Sequence, residues 1–131
     1  MGVHSVRRVL ITGSRDWVDR LAVWSILNQE LEAAHGELIV VHGAARGADD
    51  IADRWAWGAI QAGASVEVES HPALWEIQGK AAGIIRNKQM ANLGADVCYA
   101  FPLKDSRGTQ HMIACCEEAG IPVINLGYLG G

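Results

Sequence analysis

The sequence predicts an α/β fold, a Rossmann-like three-layer sandwich built on one five-stranded, mostly parallel sheet. Three observations predict it. Short apolar runs alternate with stretches of helical periodicity along the whole chain. The runs tend to end at a turn-forming residue, as at Gly13, Gly43 and Pro102. A length of 131 residues suits a single domain, spanning 1–131, with a sizeable core.

The elements follow in order. Residues 8–12 (RVLIT) are a strand running into Gly13. Residues 19–34 are helical, with Val23, Ile26, Leu27, Leu31 and Ala34 at spacings that share one face, and Gly36 ends them. Residues 37–42 (ELIVVH) form the second strand, which ends at Gly43. The second helix covers 48–62, with Ile51, Ala52, Trp55, Ala56 and Ala59 inside and Asp49 and Asp50 in the first turn, where the helix dipole favours carboxylates. Residues 65–70 (SVEVES) alternate and read as a strand nearer the sheet edge. A loop over 71–79 precedes a third helix at 80–93, stopped by Gly94. Residues 96–101 (DVCYAF) are the fourth strand. A polar loop over 103–107 leads to a fourth helix at 108–119, whose inner face is Met112, Cys115, Cys116 and Ala119. Residues 122–126 are the last strand, followed by a short YLGG tail. Strand–helix alternation implies parallel pairing with helices on both faces, and right-handed crossovers give the order 3-2-1-4-5.

Composition narrows the function classes. Half the residues are hydrophobic and a fifth are charged, as in ordinary globular proteins. The formal net charge of −4 argues against a general nucleic-acid binder. Cys98, Cys115 and Cys116 form no CxxC pair and read as small buried hydrophobes, with reduced thiols fitting the cytoplasm. No apolar run approaches membrane-spanning length, so no membrane partner is expected. The start, MGVHSVRRVLITG, lacks a signal-peptide pattern, and Gly2 with Ser5 is a poor myristoylation match. His4, His35, His42, His71 and His111 show no metal-ligand spacing, and neither a metal nor a cofactor is expected.

In such sheets ligands bind outside the carboxyl ends of the strands, where strand order reverses. Three strand exits carry unusual turns. Gly13-Ser14-Arg15-Asp16 leaves the first strand, Gly43-Ala44-Ala45-Arg46-Gly47 the second, and Ser106-Arg107-Gly108-Thr109 follows the fourth. Glycine lets backbone N–H groups approach a ligand, a helix N-terminus favours an anion, and arginine grips phosphate with a planar fork. Neither the Walker GK[ST] ending nor GxGxxG is present. In the third helix Gly83, Arg86, Asn87 and Met90 share one face, its first half near this edge. His42 ends the second strand beside the same edge, Trp75 lies in a loop near it, and Trp57 sits on an outer helix face. The expected ligand-binding set is therefore Gly13, Ser14, Arg15, Gly43, Arg46, Gly47, Arg86, Asn87, Ser106, Arg107, Gly108 and Thr109.

The succession GSR, VHGAARGAD, WxxxGKAAGxxRNxxM and SRGT resembles the SLOG superfamily, and within it the YspA-like branch (DUF2493) of bacteria and phages. The resemblance spans residues 8–123. It implies a Rossmann-like fold, a nucleotide-type pocket and self-association. The superfamily also holds the LOG phosphoribohydrolases and the DNA-processing protein DprA. Against the LOG pattern, Gly43 and Gly47 match the first glycine turn, Arg86 the arginine of the RK segment, and Gly108 and Thr109 the GT pair. The PGG segment is reduced to Pro102-Leu103, and the LOG glutamate falls at Met112, which cannot stabilise an oxocarbenium-like state.

The leading expectation is a sensor or processing domain for a nucleoside phosphate or an ADP-ribose-like molecule. The alternative is a hydrolase of N-glycosidic bonds, with Glu76 or Asp49 as the catalytic candidate and Asp50 or Asp16 behind them. A DprA-like single-strand DNA binder ranks last, because it needs a basic groove with stacking aromatics.

Overall fold

The computed structural model describes residues 5–127; His4, Gly2 and the tail at 128–131 lie outside them. Five parallel strands form one sheet in the order β3-β2-β1-β4-β5. They are β1 (Val6–Gly13), β2 (Glu37–His42), β3 (Val66–Ser70), β4 (Val97–Phe101) and β5 (Val123–Asn125). The helices are α1 (Arg20–Ala33), α2 (Ala48–Gln61), α3 (Trp75–Gln78), α4 (Ala82–Leu93) and α5 (Arg107–Glu118), with a 3₁₀ turn at Gly79–Ala81 before α4. The predicted order and edge position of β3 hold.

Two apolar layers sandwich the sheet. On one face α1 and α2 pack Val23, Leu27, Ile51, Ala52 and Ala56 against Val9, Ile11, Leu38 and Val40. On the other, Met90, Ala91, Met112, Cys115 and Cys116 from α4 and α5 cover Leu10, Val41 and Cys98. The central strands bury both faces, which is why they read as continuous apolar runs rather than alternating ones. All three cysteines are buried and free. Ala119, expected inside α5, is exposed, because the helix ends at Glu118 and Ala119 is its C-cap.

Several polar side chains find partners that sequence spacing does not announce. Glu30 lies on the inner face of α1, between the Arg7 guanidinium (Nε to Oε1 2.5 Å) and the Tyr99 hydroxyl (2.5 Å to Oε2). Arg8 on β1 donates through both terminal nitrogens to Glu69 on β3, each at 2.8 Å, across the intervening β2. Asp19 caps α1, accepting from the Ala22 N–H at 3.2 Å.

The segment 71–79, expected as a loop, contains the single-turn helix α3. One turn is too short to show a 3.6-residue period, and Pro72 ahead of it marks a turn. Among the described residues no helix is long and apolar enough to cross a membrane.

Candidate functional site

The exits of β1 and β2, the loop after β4 and the first half of α4 enclose a cavity of about 540 Å³ at the strand carboxyl ends. That volume falls within the range of small-molecule sites. Gly13, Ser14 and Arg15 enter it from β1, Gly43 from β2, Arg86, Asn87 and Met90 from α4, and Ser106, Arg107, Gly108 and Thr109 from the start of α5. Ten of the twelve expected ligand-binding residues thus line one cavity. Arg46 and Gly47 do not.

Arg46 borders an adjoining recess of about 310 Å³, which shares Arg15, Gly43, Ala45 and Arg86 with the main cavity. It lies 3.6 Å from Asp16. Gly47 is the N-cap of α2 at φ +79°, where a Cβ would drive into the carbonyls of Ser14 and Arg15. Its role is to bring the β1 and β2 exits together. The Ser14 carbonyl there accepts from the Ala48 N–H at 3.3 Å and the Trp17 N–H at 3.2 Å. Trp17 is buried edge-on against Phe101, with ring centroids 5.3 Å apart, and pins the β1 exit to β4.

Arg86 is held in place before any ligand arrives. Its Nη1 donates to the Gly43 carbonyl and, at 3.3 Å, to that of His71, while Nε donates to Asn87 Oδ1 at 2.8 Å. Desolvation draws its pKa below the ordinary value, opposed by Asp49. The Asn87 amide nitrogen reaches the Gly108 carbonyl (3.3 Å) and His111 Nδ1 (3.1 Å), so Asn87 ties α4 to the N-terminus of α5. Arg107 and Arg15 are exposed at the rim, and Arg15 lies over the Trp75 ring at 5.7 Å.

The Gly43, Ala44 and Ala45 amides at the start of the β2 exit are bonded within the loop rather than turned to an anion. Gly43 and Ala45 donate to Asp49 Oδ2 at 3.1 and 3.3 Å. Ala44 donates to His42 Nδ1 at 2.9 Å. Because that nitrogen accepts, the His42 proton sits on Nε2, which meets Asp53 Oδ1 at 2.8 Å. His42 is therefore a buried brace behind the loop and does not line the cavity. The open amides are at α5. Its N-cap, Ser106, makes no side-chain bond to the helix, its hydroxyl accepting instead from the Leu103 N–H at 3.0 Å. The first-turn N–H groups of Gly108 and Thr109 have no intrahelical acceptor, and both residues line the cavity.

Of the carboxylate candidates, Asp49 and Asp16 line the cavity, whereas Glu76 is exposed on α3 outside it and Asp50 pairs with Arg54 at 2.9 Å. Asp49 is buried and its Oδ1 has no partner. Burial pushes its pKa up to about 6, opposed by His42, by the Ala45 and Gly43 amides and by Arg86. Met112, at the LOG glutamate position, is fully buried in the core and does not line this cavity. Lys104 and Asp105 also line the site, and residue type alone does not mark them. Their signal was the polar loop after β4, where Asp105 takes φ +69°. Among the described residues no group of three or more His, Cys, Asp or Glu is placed to hold a metal.

Comparison with known proteins agrees with this architecture. No solved structure matches the chain. The "Gene 61 protein" of Mycobacterium phage D29 is 59% identical over 122 residues, covering 93% of this chain and 98% of that protein. The family model for the YspA, cpYpsA-related SLOG family (YAcAr) matches residues 7–76, which carry nearly all of β1, the Gly13 and Gly43 exits and the first two residues of α3. With that match over more than half its length, the chain belongs to the YspA, cpYpsA-related SLOG family.

Proposed function

We propose that the cavity binds a phosphate-bearing, nucleotide-derived ligand, a nucleoside phosphate or an ADP-ribose-like molecule. One observation carries this reading. Arg15, Arg86 and Arg107, from three separate segments, line one cavity together with the uncapped first turn of α5. Arg86 is anchored by the Gly43 and His71 carbonyls, but Arg15 and Arg107 stand exposed at the rim, where their charges can meet an anion beside it. A helix N-terminus and arginine forks are the two protein features best matched to phosphate. The test is calorimetric titration with AMP and ADP-ribose against the intact protein and Arg107→Ala. Binding that Arg107→Ala weakens at least tenfold supports the reading; no heat from either ligand, in either protein, sinks it.

Hydrolysis of an N-glycosidic bond is the second reading, and Asp49 is what favours it. Asp49 is a buried carboxylate in the cavity wall, ionised above about pH 6 and able to face a developing positive charge. Loss of the glutamate position to the buried Met112 removes the LOG route to the same chemistry. Free base released from a panel of nucleoside monophosphates, and abolished by Asp49→Asn, is the expected sign of an enzyme. We place the protein in the cytoplasm, consistent with three buried free thiols. Self-association, implied by the family and compatible with the exposed Trp57, is checked by sedimentation, where a 14.1 kDa particle argues against it. Nucleic acid is not proposed as a partner.

A further inference from the structure

The geometry points to the recess beside the main cavity as the seat of a planar heteroaromatic base, stacked on Trp75, whose attached phosphate lies in the main cavity. This rests on the phosphate-binding reading above and names the part of the ligand that the reading leaves open. The two spaces share one wall, made by Arg15, Gly43, Ala45 and Arg86, so a single molecule can occupy both. Their chemistries differ. The main cavity adds Arg107 and the open turn of α5, the groups suited to phosphate. The recess adds the exposed Arg46 and an apolar wall of Ala44, Pro72, Ala73 and the Trp75 indole.

Trp75 is built into position rather than left at the surface by chance. It is half exposed, yet the edge of its ring rests on Gly83 of α4, where a Cβ would stand 3.3 Å from Cη2. A side chain longer than alanine at 83 has to displace the indole. Gly83 therefore accounts for the small residue on the Arg86 face of α4, and what approaches it is Trp75. Arg15, 5.7 Å from the ring centroid, already holds a planar cation against the indole. A base is a planar group of similar size that can take that place or extend the stack, and base–aromatic stacking changes affinity by roughly five- to a hundredfold. The recess, at about 310 Å³, has room for a base.

The test compares AMP with ribose 5-phosphate, which lacks the base, by calorimetry on the intact protein, Trp75→Ala, Trp75→Phe and Gly83→Leu. The intact protein is expected to bind AMP at least tenfold more tightly. Trp75→Ala and Gly83→Leu should close most of that gap by weakening AMP, with a much smaller change for ribose 5-phosphate, and Trp75→Phe should keep most of it. A gap that survives Trp75→Ala overturns the assignment. So does equal binding of AMP and ribose 5-phosphate to the intact protein, and pyrophosphate binding far tighter than phosphate would then make the recess a second anion site. In those cases an Arg107→Ala loss common to both ligands still upholds phosphate binding. If neither ligand binds, the phosphate reading itself falls, and the base subsite with it.

Discussion

Arg86 and Arg107 both reach the cavity, but the chain holds them differently, and the difference separates stability from binding. Three acceptors on other groups depend on Arg86: the carbonyls of Gly43 and His71 and the Asn87 side-chain oxygen. Replacing Arg86 with alanine leaves them without their donor in a part-buried site and removes the cation beside Asp49. A loss of about 1–3 kcal/mol in folding stability is expected, in addition to any loss of ligand affinity. Arg107 makes no ion pair among those seen in the described residues and stands exposed at the start of α5. Arg107→Ala should leave stability within about 0.5 kcal/mol of the parent and weaken phosphate-ligand binding by about ten- to a hundredfold. Paired urea melts and calorimetric titrations of the two variants read both quantities. Equal stability of the two variants would contradict the anchored role given to Arg86.

At the scale of elements, the β2–α2 connection concentrates the backbone strain of the site. Ala44 sits at φ +58° and Gly47 at φ +79° within four residues. The two positions should respond oppositely to exchange. Gly47→Ala forces a Cβ against two carbonyls and is expected to cost more than about 2 kcal/mol, whereas Ala44→Gly relieves a left-handed alanine and should change stability by no more than about 1 kcal/mol. Thermal melts of both variants check this. The same connection shows why the sequence was only partly legible. Residues 37–42 announce a strand because a strand buried on both faces must be continuously apolar, and Gly43 and Arg46 announce a strand exit by residue type. The destination of the loop's amides is invisible in sequence. It depends on Asp49 turning back onto Gly43 and Ala45, and on His42 accepting from Ala44, once the loop has closed. Glu30 escaped notice for a related reason: an inward carboxylate on a helix looks like a surface residue until Arg7 of β1 and Tyr99 of β4 meet it. The four-residue α3 left no periodic trace, and the meaning of Gly83 emerged only with Trp75 resting on it.

For the whole molecule, two carboxylates in different environments set opposing limbs of the stability profile. The Arg8 guanidinium and His71 hold the Glu69 carboxyl well down, at about 2 against an ordinary 4.5, and Arg7 with Tyr99 lowers Glu30 in the same direction. A lowered acid stabilises the fold fully above its unfolded value, and that contribution is lost as pH falls from 4.5 toward 2. Glu69 is partly exposed, so screening limits its share to about 1 kcal/mol. Asp49 works the other way. Its folded value of about 6 lies above the ordinary 3.8, so between those values the folded state keeps a proton that the unfolded chain has released. Stability therefore falls as pH rises from about 4 through 6, by up to about 3 kcal/mol, and levels off above. The two limbs cross near pH 4–5, where urea denaturation should find the unliganded protein most stable, with a lower midpoint at pH 7.5. Asp49→Asn should flatten the descending limb and leave the acid limb intact; Glu69→Gln should do the reverse. A phosphate ligand in the cavity adds negative charge beside Asp49, raising its proton affinity further, so saturating AMP should move the descending limb to higher pH. An intact protein more stable at pH 7.5 than at 4.5, with Asp49→Asn following the same curve, would show that Asp49 is not the buried acid of this site.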